Sequence, residues 1–231
     1  MKQHKKLKIT LLVLAGLAIL LVGIFCTITI ISNSPSHIAQ LVLDGDPDNK
    51  LNEKYDKLKP EKKAEVLTLV TAEMQKKIDE YKAGNATDTF EAFVGDSWSA
   101  FEYIILNSSD VDASKIKEAE AVIHDMELIV YGQELISEAE SCIAEKDYVE
   151  AYELIAVIEG TGGQAEDEAE NIYEHLCKAD AERVDAVKTT ITNEASAYYI
   201  EQCRQLSEEN NYAEIEEIIE RVSTICSEED I

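Results

Sequence analysis

Residues Ile9 to Ile31 read ITLLVLAGLAILLVGIFCTITII, 23 positions without one charge. Coiled as a helix at about 1.5 Å per residue, the run is roughly 35 Å long, enough to cross a hydrocarbon layer of about 30 Å with some tilt. A cleaved leader also joins a basic start to an apolar stretch, but its apolar part usually runs about 7–15 residues and ends at small residues. Here the run is longer, and the small residues Ser32 and Ser34 are followed by Pro35. Phe25 is too bulky a neighbour for Cys26 to be a lipidated cysteine. The expectation is an uncleaved transmembrane helix over residues 9–31. Lys2, Lys5, Lys6 and Lys8 precede it and no base follows closely, so the basic tip, residues 1–8, is expected in the cytoplasm and the chain from Ser32 outside. Eight residues are too few to signal alone.

Composition sets the class of the rest. Among 231 residues there are 9 Gly and 3 Pro, too little turn chemistry for a barrel or sandwich of many short strands. Hydrophobic residues make up 45%, which supports a real core and argues against wholesale disorder. Acids outnumber bases 47 to 21, for a net charge of −26, and a phosphate backbone needs the opposite footprint. Nucleic acid is therefore excluded as an expected partner. The charge is also uneven: residues 118–231 hold 31 acids and 6 bases, against 16 and 11 in residues 33–117.

Beyond the span, apolar residues recur at helical steps. Pro60-Glu61 reads as a helix start, and Leu67, Val70, Met74, Ile78 and Tyr81 line one face before Gly84-Asn85 ends it. A second helix is expected from Thr87-Asp88 through Phe90, Phe93, Trp98, Phe101 and Ile105. Asn107-Ser-Ser-Asp110 reads as a loop and cap. Ile116, Ala119, Ile123, Met126 and Val130 continue the pattern, then Ile136, Ala139 and Ile143; Gln164 to about Leu206 predicts one or two long helices. No strand pattern interrupts them. The expected fold class is all-α, with membrane-proximal helical hairpins over 32–110 and an acidic distal helical domain over 111–231.

One local pattern recurs. Ala139-x-x-Cys142-Ile143-Ala-Glu-Lys146-Asp147-Tyr148-x-x-Ala151-x-x-x-Ile155 sets small residues on two helices around a turn. This resembles the tetratricopeptide repeat, whose helix–turn–helix carries a small residue in its first helix, Gly-Asp-Tyr at the turn and Ala in its second. Lys146 stands where that pattern has Gly. A weaker copy runs from Cys203 through Asn210-Asn211-Tyr212 to Ile215 and Ile219, and fainter echoes lie at Leu43–Tyr55 and Tyr81–Phe90. The better copies lie 64 residues apart, not a clean multiple of 34. The resemblance implies tetratricopeptide-like hairpins rather than a regular array, with Ala139, Tyr148, Ala151, Ile155, Tyr212 and Ile219 in structural roles.

Candidate chemistry is sparse. The histidines are His4, His37, His124 and His175, and only His175 has a possible companion, Cys177, at a spacing that does not face together on a helix. Asp44-Gly-Asp46-Pro-Asp48-Asn49 imitates a calcium loop, but Asn49 replaces its glycine and Tyr55 its bidentate glutamate, so it reads as a turn. Cys142, Cys177, Cys203 and Cys226 lie outside the span, where either buried thiols or disulfides are open; Cys26 is an apolar filler in lipid. Gly160-Thr-Gly-Gly163 lacks the Lys-Ser/Thr of a phosphate loop, and no nucleophile or metalloprotease motif occurs. No enzymatic activity, metal or cofactor is expected. What remains is a membrane-anchored, extracytoplasmic protein-interaction or scaffold module; the alternative is a sensory ectodomain binding a small ligand or cation.

Overall fold

The computed structural model describes residues 33–46, 49–84, 88–161, 171–223 and 225. The expected span over residues 9–31, Cys26, Asp48, Gly162-Gly163 and Cys226 lie outside them. Among the described residues no helix is long and apolar enough to cross a membrane. Helix accounts for 80% of them, with no strand. In chain order the helices are α1 (Pro35–Leu43), α2 (Leu51–Tyr55), α3 (Pro60–Lys82), α4 (Phe90–Val94), α5 (Ser97–Leu106), α6 (Ala113–Glu145), α7 (Tyr148–Ile158), α8 (Lys178–Glu208) and α9 (Tyr212–Val222), with a short 3₁₀ turn at Ile172–His175 before α8.

Local chemistry explains most of the boundaries. Pro35 opens α1 behind Ser34, whose hydroxyl accepts from the His37 backbone N–H at 3.3 Å. Asp147 does the same for α7, accepting from the Glu150 N–H at 3.3 Å. Pro60 starts α3, and its buried face carries Leu67, Val70, Met74, Ile78 and Tyr81, the positions the periodicity selects. The helix expected from Thr87 to Ile105 is instead two, α4 and α5. Gly95 separates them with φ 55°, a left-handed conformation that breaks the helical ladder.

The described chain falls into two compact units. The first takes in residues up to Met74 together with Val94–Ala121, and the second Gln75–Phe93 together with residues from Val122 on. In the first, α1 packs on α2 and α5. Ile38, Val42, Leu51, Val70, Phe101 and Ile104 are withdrawn from solvent there. A polar cluster lies within that core. Tyr55 Oη shares a 2.5 Å hydrogen bond with Ser108 Oγ, which itself donates to the Ile104 carbonyl at 2.5 Å. Lys63 is nearly buried, yet its ammonium donates to the Asn107 carbonyl at 3.0 Å and to Asp110 Oδ1 at 3.1 Å, and lies 5.5 Å over the Tyr55 ring. A cation on the carbonyls past the end of α5 also suits the negative end of that helix dipole.

In the second unit α8 packs against both α7 and α9, and α7 also meets the 3₁₀ turn. Its core joins Ile136 and Ala139 of α6 to Ala151, Ile155 and Ile158 of α7 and Val184, Val187 and Ile191 of α8.

Candidate interaction surface

The turns after α6, α7 and α8 share one backbone design; after α7 the Gly160 N–H donates to the Val157 carbonyl at 3.1 Å and the Thr161 N–H to the Ala156 carbonyl at 2.9 Å. After α6, the Lys146 N–H donates to the Ile143 carbonyl at 3.1 Å and the Asp147 N–H to the Cys142 carbonyl at 2.9 Å. After α8, Asn210 and Asn211 make the same pair to Ser207 and Leu206, at 3.1 and 2.9 Å. Lys146 and Asn210 are both left-handed, with φ 65° and 61°. This is the helix stop usually built on glycine, paid for here by a lysine and an asparagine. Lys146 also lies 5.3 Å over the Tyr198 ring, a contact glycine would not make.

The pattern residues around the turns after α6 and α8 end in different environments. Ala139, Tyr148, Ala151 and Ile155 all join the buried cluster of the second unit. Tyr148 packs edge-on against Tyr198 and Tyr199, with centroids 5.6 and 6.1 Å away, and donates to Glu194 Oε2 at 3.1 Å. Tyr212 and Ile219, by contrast, are 59% and 42% exposed. Helix α9 is strongly amphipathic, but Val222 is its only buried residue, supplemented by partly buried Ile218. At about 100° per residue, Tyr212, Ile215 and Ile219 form a stripe beside the Ile218–Val222 face. The apolar stripe is therefore wider than the neighbour that covers it. Glu216 and Glu220 border its open edge, and neither pairs with a described cation.

The sequence pointed to no polar centre, yet the second unit has one. Asp180, in the first turn of α8, is 5% exposed. Its carboxylate accepts from Tyr81 Oη, from Gln133 Nε2 at 3.0 Å and from Cys177 Sγ at 3.3 Å through Oδ2, and from Arg183 at 3.4 Å through Oδ1. Gln133 also donates to Tyr81 Oη at 2.5 Å and accepts from the Phe90 N–H at 3.1 Å. Arg183 in turn holds Glu140 through two bonds of 2.9 and 2.7 Å, which keeps that carboxyl below its usual range. With four donors engaged, the Asp180 carboxylate joins the end of α3 and α6 to α8.

A cleft of about 240 Å³ lies between α7 and α8. Its apolar side includes Tyr152, Ile155 and Ile191, and the Lys188–Glu159 ion pair spans 2.6 Å beside them. Organic ligands usually fill about 300–1,000 Å³, so this cleft is small for one.

Candidate reactive groups are also placed. Cys142, Cys177 and Cys203 are free thiols; burial raises Cys142 and Cys203 above the ordinary thiol range, which disfavours the nucleophilic thiolate. His175 Nδ1 lies 3.4 Å from Asp125 Oδ1 without hydrogen-bond geometry. Among the described residues no group of three or more His, Cys, Asp or Glu is arranged to hold a metal ion. In the calcium-like segment, Asp46 accepts from the Lys50 and Leu51 N–H groups at 2.7 and 2.9 Å, so it caps α2. No family model, curated protein or solved structure matches the chain.

Proposed function

We propose that the chain is a membrane-anchored interaction module. Residues 9–31 span the bilayer, the four preceding lysines hold the N-terminus in the cytoplasm, and the helical units work outside, docking another protein. The observation that carries the docking role is the open apolar stripe on α9, where Tyr212 and Ile219 face solvent. Helical hairpins suit such work, because stacked helix pairs present long surfaces. The burial of Ala139, Tyr148, Ala151 and Ile155 together supports a tetratricopeptide-like reading of the α6–α7 pair.

A ligand-sensing ectodomain is the second reading, and the cleft between α7 and α8 favours it. Its small volume and the ion pair beside it weigh toward docking instead.

The test has two arms. Deleting residues 9–31 should move the chain from the membrane to the soluble fraction, and full-length protein should be digested only by protease added outside. A mature product starting beyond Ser32 refutes the anchor. In mild detergent, the module reading requires a stoichiometric protein partner; a chain that elutes alone and is stabilised by a small ligand reverses the choice.

A further inference from the structure

Resting on that docking role, we infer that the stripe on α9 receives a basic amphipathic helix. The face is apolar at i, i+3 and i+7 through Tyr212, Ile215 and Ile219, the register by which one helix reads another. Its open edge is bordered by Glu216 and Glu220. Between Ile200 and Val222 there are seven acids and two bases, and both bases are already engaged. Arg204 is held by Glu201 and Glu208, and Arg221 by Asp147 at 2.6 Å. An incoming helix therefore meets an apolar ridge with free carboxylates beside it.

That charge selects among occupants. A second copy would bring the same carboxylates edge to edge, and like charges across an interface oppose it. The segment Ser227-Glu-Glu-Asp230 that follows α9 is acidic too and meets the same repulsion. The lysines at positions 2–8 have the right sign, but under the proposed topology they lie across the bilayer. A partner helix with Lys or Arg beside its apolar stripe satisfies both requirements: it covers the ridge and neutralises Glu216 and Glu220. The attraction speeds encounter, and the apolar contact sustains the complex.

The experiment uses the full chain in nanodiscs of neutral phosphatidylcholine and two fluorescent helical peptides. Both carry leucine at i, i+3, i+4 and i+7; one is flanked by lysines, the other by glutamates, and empty nanodiscs report binding to lipid. The lysine peptide should bind at least tenfold tighter than the glutamate peptide, with the gap narrowing as salt rises. Tyr212→Ser with Ile219→Ser should weaken it at least tenfold, while Glu153→Gln on exposed α7 surface leaves it unchanged. Glu216→Gln with Glu220→Gln should reduce the preference several-fold, and melting temperatures near the parent's establish that each variant is folded.

Equal binding of the two peptides overturns the charge choice but leaves a docking surface standing. Binding that arises only after residues 226–231 are deleted assigns the stripe to that segment. A dimer abolished by Ile219→Ser assigns it to a second copy. No binding by either peptide, while the detergent-extracted chain retains a stoichiometric partner, overturns the inference and spares the module.

Discussion

Tyr81 donates its phenolic proton to Asp180 across 99 residues of sequence, and Gln133 bonds to both. Within the second unit, one buried carboxylate thereby ties the end of α3 and the later part of α6 to α8. A satisfied network of this kind is strong, and partial removal is worse than none because each abandoned donor stays buried. Asp180→Ala should destabilise the protein by about 2–4 kcal/mol. Asp180→Asn keeps an acceptor oxygen and should lose only about 1–2 kcal/mol. Denaturant titration separates them; two losses below about 0.5 kcal/mol would show that water replaces the carboxylate without penalty.

Overpacking tests the α6–α7 hairpin. Ala151 is fully buried in the core, whereas Ala144, near the end of α6, is exposed. Ala151→Leu should lose about 1–3 kcal/mol by forcing apart its neighbours. Ala144→Leu should change stability by less than about 1 kcal/mol. Thermal melts compare the pair, and equal small shifts would place Ala151 outside a tight contact.

Two glycines isolate a steric effect from a conformational one. Gly45 and Gly84 have nearly the same left-handed backbone, φ 75° and 76°. A Cβ at Gly45 would come within 2.4 Å of Asp96 Cβ, while one at Gly84 would meet nothing within 4 Å. Gly84→Ala should thus lose only the left-handed penalty, about 1–2 kcal/mol. Gly45→Ala adds overpacking and should lose about 1–3 kcal/mol more. The same loss at both sites would mean that the chain around Gly45 shifts freely.

Tyr55 predicts an alkaline limit. Burial, aided by the charges of Asp110 and Asp56, pushes its phenol from 10 up to about 12. The unfolded chain therefore releases this proton first. The stabilisation is complete below pH 10 and is lost as pH climbs to about 12, a change of about 2–3 kcal/mol for a rise of that size. Tyr55→Phe should flatten this part of the stability–pH curve, read as denaturation midpoints from pH 9 to 12. An unchanged slope would assign the alkaline loss to other groups.

Much of the fold was legible because helix burial repeats. Leu67, Val70, Met74, Ile78 and Tyr81 mark one face at steps of three and four, and all five are buried. The break at Gly95 was hidden, since Phe90, Phe93 and Phe101 keep the helical rhythm through it. Asp180 was hidden for another reason: among 47 acids a buried carboxylate has no local mark, and two of its four donors, Tyr81 and Gln133, come from far along the chain. The stripe on α9 was half visible. Tyr212, Ile215, Ile218, Ile219 and Val222 announce an amphipathic helix, but periodicity measures the apolar width of a helix and not how much of it a neighbour covers.

Helix α9 hangs on little. With Val222 alone fully buried and Ile215 and Ile218 half-buried, only a few apolar contacts and the Arg221–Asp147 pair resist its detachment. Its backbone amides should therefore exchange with deuterium well before those of central α8, through local openings that leave the rest of the unit intact. A partner that covers the helix should slow exchange there first, so the protection of its eleven residues would report docking.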